Sequence, residues 1–399
     1  MKPMKTTIRT CPVCTFQMAW PLTDFKYLHF DDCGLDGTMD LVVCSKCGGA
    51  YLDTISTGSA FTSYYRQQAT YGRSSTTGAG GDSSEEQRRF SEIAVFCGKY
   101  LTSESAAILD IGSGRGGLLK QFSRTGYTNC HALDLSPACI DHIRQRYGFN
   151  AAVGEASDIP FSGIAFNLIV CSHIIEHALT PEKIIAECKN RLTDDGLIYI
   201  EVPDAAQYGV NVSAPFADFY FEHINHFDPV HLDMLLKING MEPLEHGCKR
   251  IEASGGLTVA CVYGLYRKNS TFSNNSLHFD HYLGVRLSDY ISSGKDHALF
   301  SILNEVARSK TPLHIWGMSQ YAQFLLGSSP LNRCSIKSLI DADPKKQQRT
   351  ISGMRIHSPE SLRQAATGDA IILTALGYQE NMRQFLREIN FRGMEFSLD

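Results

Sequence analysis

The feature that most limits what this chain can fold into is a glycine-rich turn, Asp110-x-Gly112-x-Gly114-x-Gly116, set between an apolar strand and a helix. Residues 107–111 read Ala-Ile-Leu-Asp-Ile, a short strand-like run, and 117–124 carry a helical pattern. Glycines at such a turn let the backbone bend sharply and approach a ligand with no Cβ in the way. Dinucleotide-binding folds use similar spacing, so the turn alone indicates a nucleotide-like ligand. Alternating units surround it. Strands are predicted at 131–135, 166–171 and 196–202, and helices at 137–147 and from Thr180-Pro181-Glu182 onward. Ser136 is a suitable N-cap with Pro137 at the first helical position. An amphipathic entry helix over 85–101 presents Phe90, Ile93, Ala94, Phe96 and Cys97. The pattern predicts an α/β fold with a mostly parallel, Rossmann-like sheet covered on both faces.

A second alternating block begins near Pro312. Its strands are predicted at 313–316, 336–340 and 370–374, and its helices at 319–326, 359–366 and 379–389. With 399 residues, two or three domains are expected. The reading divides them as a cysteine-rich ribbon over 1–57, a flexible connection or substrate flap over 58–84 and the first α/β domain over 85–268. A linker with helices over 269–310 and a C-terminal Rossmann-like α/β domain over 311–399 complete the chain. Net charge is −5 and no Lys/Arg block stands out, so neither nucleic acid nor a membrane is an expected partner. No apolar stretch is long enough to span a bilayer. Met1 to Thr10 lacks the apolar core of a signal peptide. A cytoplasmic location is expected; the sequence does not state an oligomeric state.

Thirteen cysteines without an export signal suggest reduced thiols and a metal. Cys11-x-x-Cys14 and Cys44-x-x-Cys47 are two knuckles with 29 residues between them, and Gly48 follows the second. Four thiolates so spaced suit one tetrahedral zinc ion with no position left open, hence a structural Zn2+. Cys33 reads as a free thiol.

Beyond the turn, Asp134 closes the second strand, where a carboxylate can accept hydrogen bonds from ribose hydroxyls. Asp158, within Ala156-Ser-Asp-Ile-Pro160, is a candidate partner for an adenine amino group. A third constellation, Asp218-Phe-Tyr220-Phe-Glu222-His223-Ile-Asn-His226-Phe227, is expected as a lid over the substrate side. A histidine beside a carboxylate can serve as a base near neutral pH, which singles out His223 with Glu222 and Tyr220. His226 reads as a structural residue.

Four segments in order, DIGSGRG at 110–116, ALDLSP at 132–137, ASDIPF at 156–161 and NLIVCSHIIEH at 167–177, make the chain resemble the class I S-adenosylmethionine-dependent methyltransferase family. The resemblance implies S-adenosylmethionine held by Asp110, Gly112, Gly114 and Gly116, with ribose on Asp134 and adenine on Asp158. The order of knuckles, methyltransferase domain, Tyr-x-Glu-His segment and C-terminal domain is similar to the zinc-binding sugar C-methyltransferase family. Ser63-Tyr-Tyr65, Tyr71, Gly255-Gly-Leu257, the run 339–346 and the run 356–360 also fit it. This second resemblance implies C-methylation of a nucleotide-linked keto-deoxysugar, with His223 as base, Glu222 supporting it, and Tyr220, Tyr71 and His177 touching the sugar. Two departures are visible. Trp316-Gly-Met-Ser-Gln320 has one glycine where that family is glycine-rich, and Ala375-Leu-Gly-Tyr378 replaces its Trp-Asn pair. The competing expectations are an O- or N-methyltransferase acting on a glycan or small metabolite, and a zinc-ribbon binding protein with an inactive methyltransferase-like domain.

Overall fold

A computed structural model describes residues 3–67, 83–210, 214–253, 256–269 and 279–398. The N-terminal segment is richer in strand than its sequence pattern suggests. It contains β1 (Lys5–Thr6), β2 (Met18–Lys26), β3 (Thr38–Cys44) and β4 (Ala50–Asp53), followed by helix α1 (Gly58–Gln67). In β3 the apolar residues do not alternate with polar ones. Met39, Leu41 and Val43 enter one core while Val42 and Cys44 enter another, so both faces of the strand are dry. That two-sided burial erases the usual in–out signature of an antiparallel strand.

The central domain follows as α2 (Ser84–Gly98), β5 (Ile108–Ile111), α3 (Gly117–Arg124), β6 (Cys130–Asp134), α4 (Pro137–Tyr147), β7 (Asn150–Val153), β8 (Phe166–Ser172), α5 (Pro181–Arg191) and β9 (Leu192–Pro203). It continues through β10 (Asn225–His226), α6 (Pro229–Ile238), β11 (Met241–Ala253) and β12 (Leu257–Lys268). Its seven-stranded sheet has the order β11-β12-β9-β8-β5-β6-β7. Strands β5 to β9 run parallel, and β12 turns antiparallel against β9. Local chemistry sets the helix starts. Ser83 forms a capping box with Glu86 at α2, and Ser136 caps α4 through the Cys139 amide.

Strand β10 does not join that sheet. It pairs antiparallel with β4, giving the N-terminal sheet the order β1-β2-β3-β4-β10. The aromatic segment leading to it is core, not an exposed lid. Phe216, Phe219, Phe221 and Ile224 are buried with Phe25, Leu41 and Phe324 in one cluster. The buried Arg9 guanidinium fixes this arrangement by donating to the Ile224 carbonyl at 3.2 Å and to Asn225 Oδ1 at 2.7 Å.

The C-terminal part comprises α7 (Tyr282–Lys295), α8 (Ala298–Ser309), β13 (Leu313–Trp316), α9 (Gln320–Ser328), β14 (Ile336–Ile340), β15 (Thr350–Ile351), β16 (Met354–His357), β17 (Ala370–Leu373), α10 (Gln379–Glu388) and β18 (Met394–Phe396). Its sheet order is β15-β16-β14-β13-β17-β18, parallel apart from β15. The helix predicted over 359–366 is a 3-10 turn over Pro359–Gln364. Among the described residues no helix is long and apolar enough to cross a membrane.

Candidate active site

A cavity of about 470 Å³ opens at the C-terminal ends of β5, β6 and β8, where ligands of open parallel sheets gather. Asp110, Gly112, Ser113 and Gly114 form one wall, and Asp134 with Leu135 and Ser136 forms the next. Gly112 has φ 68°, and a Cβ there would lie 1.9 Å from Ile174 Cδ1, so any other residue strains the backbone and must displace Ile174. Gly116 behaves differently. At φ 83° it starts α3 and backs onto Ile143 and Tyr147, outside the cavity wall.

Asp134 accepts from the Gly114 amide at 2.9 Å through Oδ2 and from the Ser136 amide at 2.8 Å through Oδ1. Burial still raises its pKa above the ordinary carboxylate value. Asp110 is pushed up to about 8 by burial and by the Asp134 charge, with Arg89 working the other way. Two desolvated carboxyls thus meet the cavity, a setting that favours a cationic ligand. Ser113 Oγ is buried in the same wall without a hydrogen-bond partner among the described residues, a donor awaiting one. Asp158 is exposed and outside the wall, which is completed by Gly154, Glu155, Ala156 and Ser157.

The far wall comes from α1 (Phe61, Thr62, Tyr65), from His177 and from His223. His177 Nδ1 stands 3.0 Å from the Glu222 carbonyl and 3.0 Å from Tyr65 Oη. A carbonyl only accepts, so bonding to it puts the proton on Nδ1, while Nε2 lies 3.9 Å from Glu176 Oε1. His223 packs edge-on against His177 and Tyr220, with ring centroids 4.8 and 5.1 Å apart. Loss of hydration, then the neighbouring His177, His173 and His226, hold its pKa well below the ordinary histidine value. The Glu222 side chain turns to the N-terminal core and accepts from Tyr64 Oη. Tyr71 lies outside the described residues.

Two acidic residues, Glu176 and Glu201, and two cations, Arg89 and Lys249, carry no motif that marks them in the sequence. Glu176 brings its carboxylate within 4.8 Å of ring nitrogens of both His177 and His223. His173, which follows β8 at a strained φ of 55°, places Nδ1 3.1 Å from Glu176 and Nε2 3.3 Å from Glu201. Glu201 is fully buried and paired with Arg89 at 2.9 Å and with Lys249. Glu176 stands inside the quoted segment 167–177, but nothing in a strand-like pattern marks which side chain turns inward.

Away from the cavity, Cys11, Cys14, Cys44 and Cys47 converge, all buried, with Sγ–Sγ distances of 3.6 Å (Cys11–Cys47) and 3.5 Å (Cys14–Cys44). Thiolates at about 2.3 Å from a tetrahedral zinc stand about 3.8 Å apart, so the cage has the right size. The Lys46 and Gly49 amides donate to Cys44 and Cys47 sulfurs at 3.4 Å, as suits ligands carrying negative charge. His231, itself held by Asp228 at 2.7 Å, reaches the Cys47 carbonyl at 3.1 Å and ties α6 to the cage.

Residues 84–246 match the family model of a methyltransferase domain. The strand order and the reversed β12 give that region the class I S-adenosylmethionine-dependent methyltransferase fold, a Rossmann-like α/β architecture. Among similar proteins, a ubiquinone biosynthesis O-methyltransferase of Neisseria meningitidis serogroup C (strain 053442) is 24% identical over 103 residues, covering 23% of this chain and 42% of that protein. An ajmaline N-methyltransferase of Rauvolfia serpentina is 30% identical over 89 residues, covering 20% of this chain and 30% of that protein. The chain spans less than half the length of these curated relatives. A solved S-adenosylmethionine-dependent methyltransferase of Methanosarcina mazei covers 44% of this chain and 97% of its own at 20% identity, with a TM-score of 0.37.

Proposed function

We propose that the protein is an S-adenosylmethionine-dependent methyltransferase that methylates a carbon next to the keto group of a small acceptor, a nucleotide-linked keto-deoxysugar. One observation carries this reading: a single cavity joins Asp134 and the glycine turn to an imidazole, His223, whose surroundings keep it neutral. When bound, S-adenosylmethionine supplies an electrophilic methyl group on a sulfonium. Asp134 would accept from its ribose hydroxyls, and the backbone at 112–114 with Ser113 would meet its amino-acid part. Adenine recognition falls to residues 155–157 on the wall rather than to Asp158.

His223 then takes the proton from the acceptor carbon. A neutral imidazole can accept it, while the Tyr65–His177–Glu222 backbone chain holds the neighbouring ring in place. His177, Tyr220 and, from outside the described residues, Tyr71 are the proposed contacts to the sugar. Glu222 acts through structure: its carboxylate anchors Tyr64 on α1 while its carbonyl orients His177. Zn2+ in the Cys11–Cys14–Cys44–Cys47 cage is proposed as structural, since four thiolates fill a tetrahedron.

The test is incubation of candidate nucleotide keto sugars with labelled cofactor in deuterated water, read by mass spectrometry. Wild type should methylate carbon and exchange the adjacent proton. His223→Asn should lose both by about 10²- to 10⁴-fold, the usual contribution of a general base. Retention of exchange in that variant would remove His223 from the role. The names of the similar proteins favour a second reading, O- or N-methylation of a small metabolite; a labelled methyl on oxygen or nitrogen without carbon exchange would establish it.

A further inference from the structure

Beside the proposed base lies a buried acidic side chain to which that reading gives no task. Glu176 is 1% exposed, sits on the 3-10 turn Ile175–His177 and does not line the cavity. Neither of its oxygens has a well-directed hydrogen bond among the described residues. Imidazoles surround it. His173 Nδ1 is 3.1 Å from Oε1, His177 Nε2 is 3.9 Å from the same oxygen, and a ring nitrogen of His223 lies within 4.8 Å. A buried carboxylate without a partner costs several kcal/mol or neutralises, so its charge needs an answer from one of these rings.

We infer that Glu176 is a positioning residue for the cavity's imidazoles: it holds His173 as the protonated ring and thereby leaves His223 free to act as a base. Charge accounting supports the assignment. The other carboxylate near His173, Glu201, already has Arg89 at 2.9 Å and Lys249 against it. The proton on His173 is therefore matched by Glu176. Cys261 Sγ lies 3.8 Å from His173 Nε2, the nitrogen that also faces Glu201, and so leaves Nδ1 to Glu176.

The directions of titration agree with that division. Burial and Arg89 work against charge on His173, yet Cys261, Glu176 and Glu201 hold its pKa well above the ordinary value. His223 moves the opposite way. Two like groups whose surroundings drive their pKa values apart are how one site keeps an acid and a base side by side. The strained backbone at His173 fits a ring held in place for such a purpose.

This inference rests on the proposed role of His223 only for its kinetic consequence; its first test needs no acceptor. Histidine is labelled with ¹⁵N in the full-length, zinc-loaded protein and ring signals are followed against pH. H173Q deletes one signal and so assigns it. In wild type that ring should stay protonated at pH values where free histidine is neutral, and in E176Q its pKa should fall by about 1 to 3. E176D should retain part of the wild-type behaviour.

Should E176Q fold poorly, the double variant H173Q/E176Q leaves neither charge alone and should be more stable than E176Q by itself. An unchanged His173 titration in E176Q, a neutral His173 in wild type, or additive losses in the double variant would each overturn the inference. If a methyl acceptor is in hand, E176Q should lower kcat and move the alkaline limb of the pH profile while leaving KM for S-adenosylmethionine in place. Failure of the keto-sugar reading would remove this last comparison and leave the titration result standing.

Discussion

At the scale of single residues, the cavity is governed by which groups lose their water. His226 illustrates the rule away from chemistry. It is buried, bonds Tyr208 Oη through Nδ1 at 3.1 Å, and leaves Nε2 without a partner among the described residues. Burial, then the nearby Arg9, depresses its pKa to about 3. In the unfolded chain the same ring takes a proton below about 6.5. Between those values the unfolded state binds one more proton than the folded state, so stability falls as the pH is lowered through that window. Urea unfolding at pH 7, 6 and 5 should show this loss, and His226→Gln should flatten the slope by roughly one proton, about 1.4 kcal/mol per pH unit. An unchanged slope would mean that other groups dominate the acid response. Residue types that announce chemistry were legible from sequence: Asp134, His177 and His223 all reach the cavity. Glu176 and Asp158 show the limit. Both are acidic, both lie in matched segments, and only the fold determines that one turns inward and the other out.

At the scale of elements, the helices and parallel strands around the glycine turn were readable because their signals are local. Caps, a strand-sized apolar run and a glycine with φ above zero act within a few residues. Gly112→Ala offers a direct check on the turn. The new Cβ would meet Ile174 and require a left-handed backbone at φ 68°, so affinity for S-adenosylmethionine should drop by at least tenfold in calorimetry, with a lower melting temperature. Wild-type binding in this variant would detach the turn from the ligand. Strand β10 was not readable. Two residues cannot show periodicity, and their partner β4 lies far back in the chain. The lid expected there becomes a core segment because Phe219 and Phe221 pack into the cluster of Phe25 and Leu41, and Phe227 into that of Val42 and Leu232.

At the scale of the whole molecule, the cysteine cage and the cavity share a scaffold without touching. Cys44 ends β3, Cys47 precedes β4, and β4 carries β10, two residues beyond His223. A metal-dependent register in the first sheet would therefore be felt at His223. Metal analysis should return about one zinc per chain, and Cys44→Ser or strong chelation should lower the melting temperature and slow methylation together. If chelated protein kept full activity and stability, zinc would have no part in holding that register. The C-terminal sheet was legible as a unit from its alternating pattern, but its position was not. Its Leu313 and Ile315, with Phe324 on α9, complete the same core as Phe25 and Leu41 from the first sheet.

That shared core has a consequence for how the chain is made. Strands β1 to β4 leave a ribosome with one face that waits for residues near 216–224 and beyond 280, and an edge that waits for 225–226. Asp32 is met by Arg349, and the Lys26 amide by Ser328 Oγ at 2.7 Å, each some three hundred positions later. Contacts of such long sequence separation form late and leave strand edges and apolar surface open meanwhile. Vectorial synthesis thus delivers first what can be secured only last, and the yield of folded protein should depend on what shields that surface during translation.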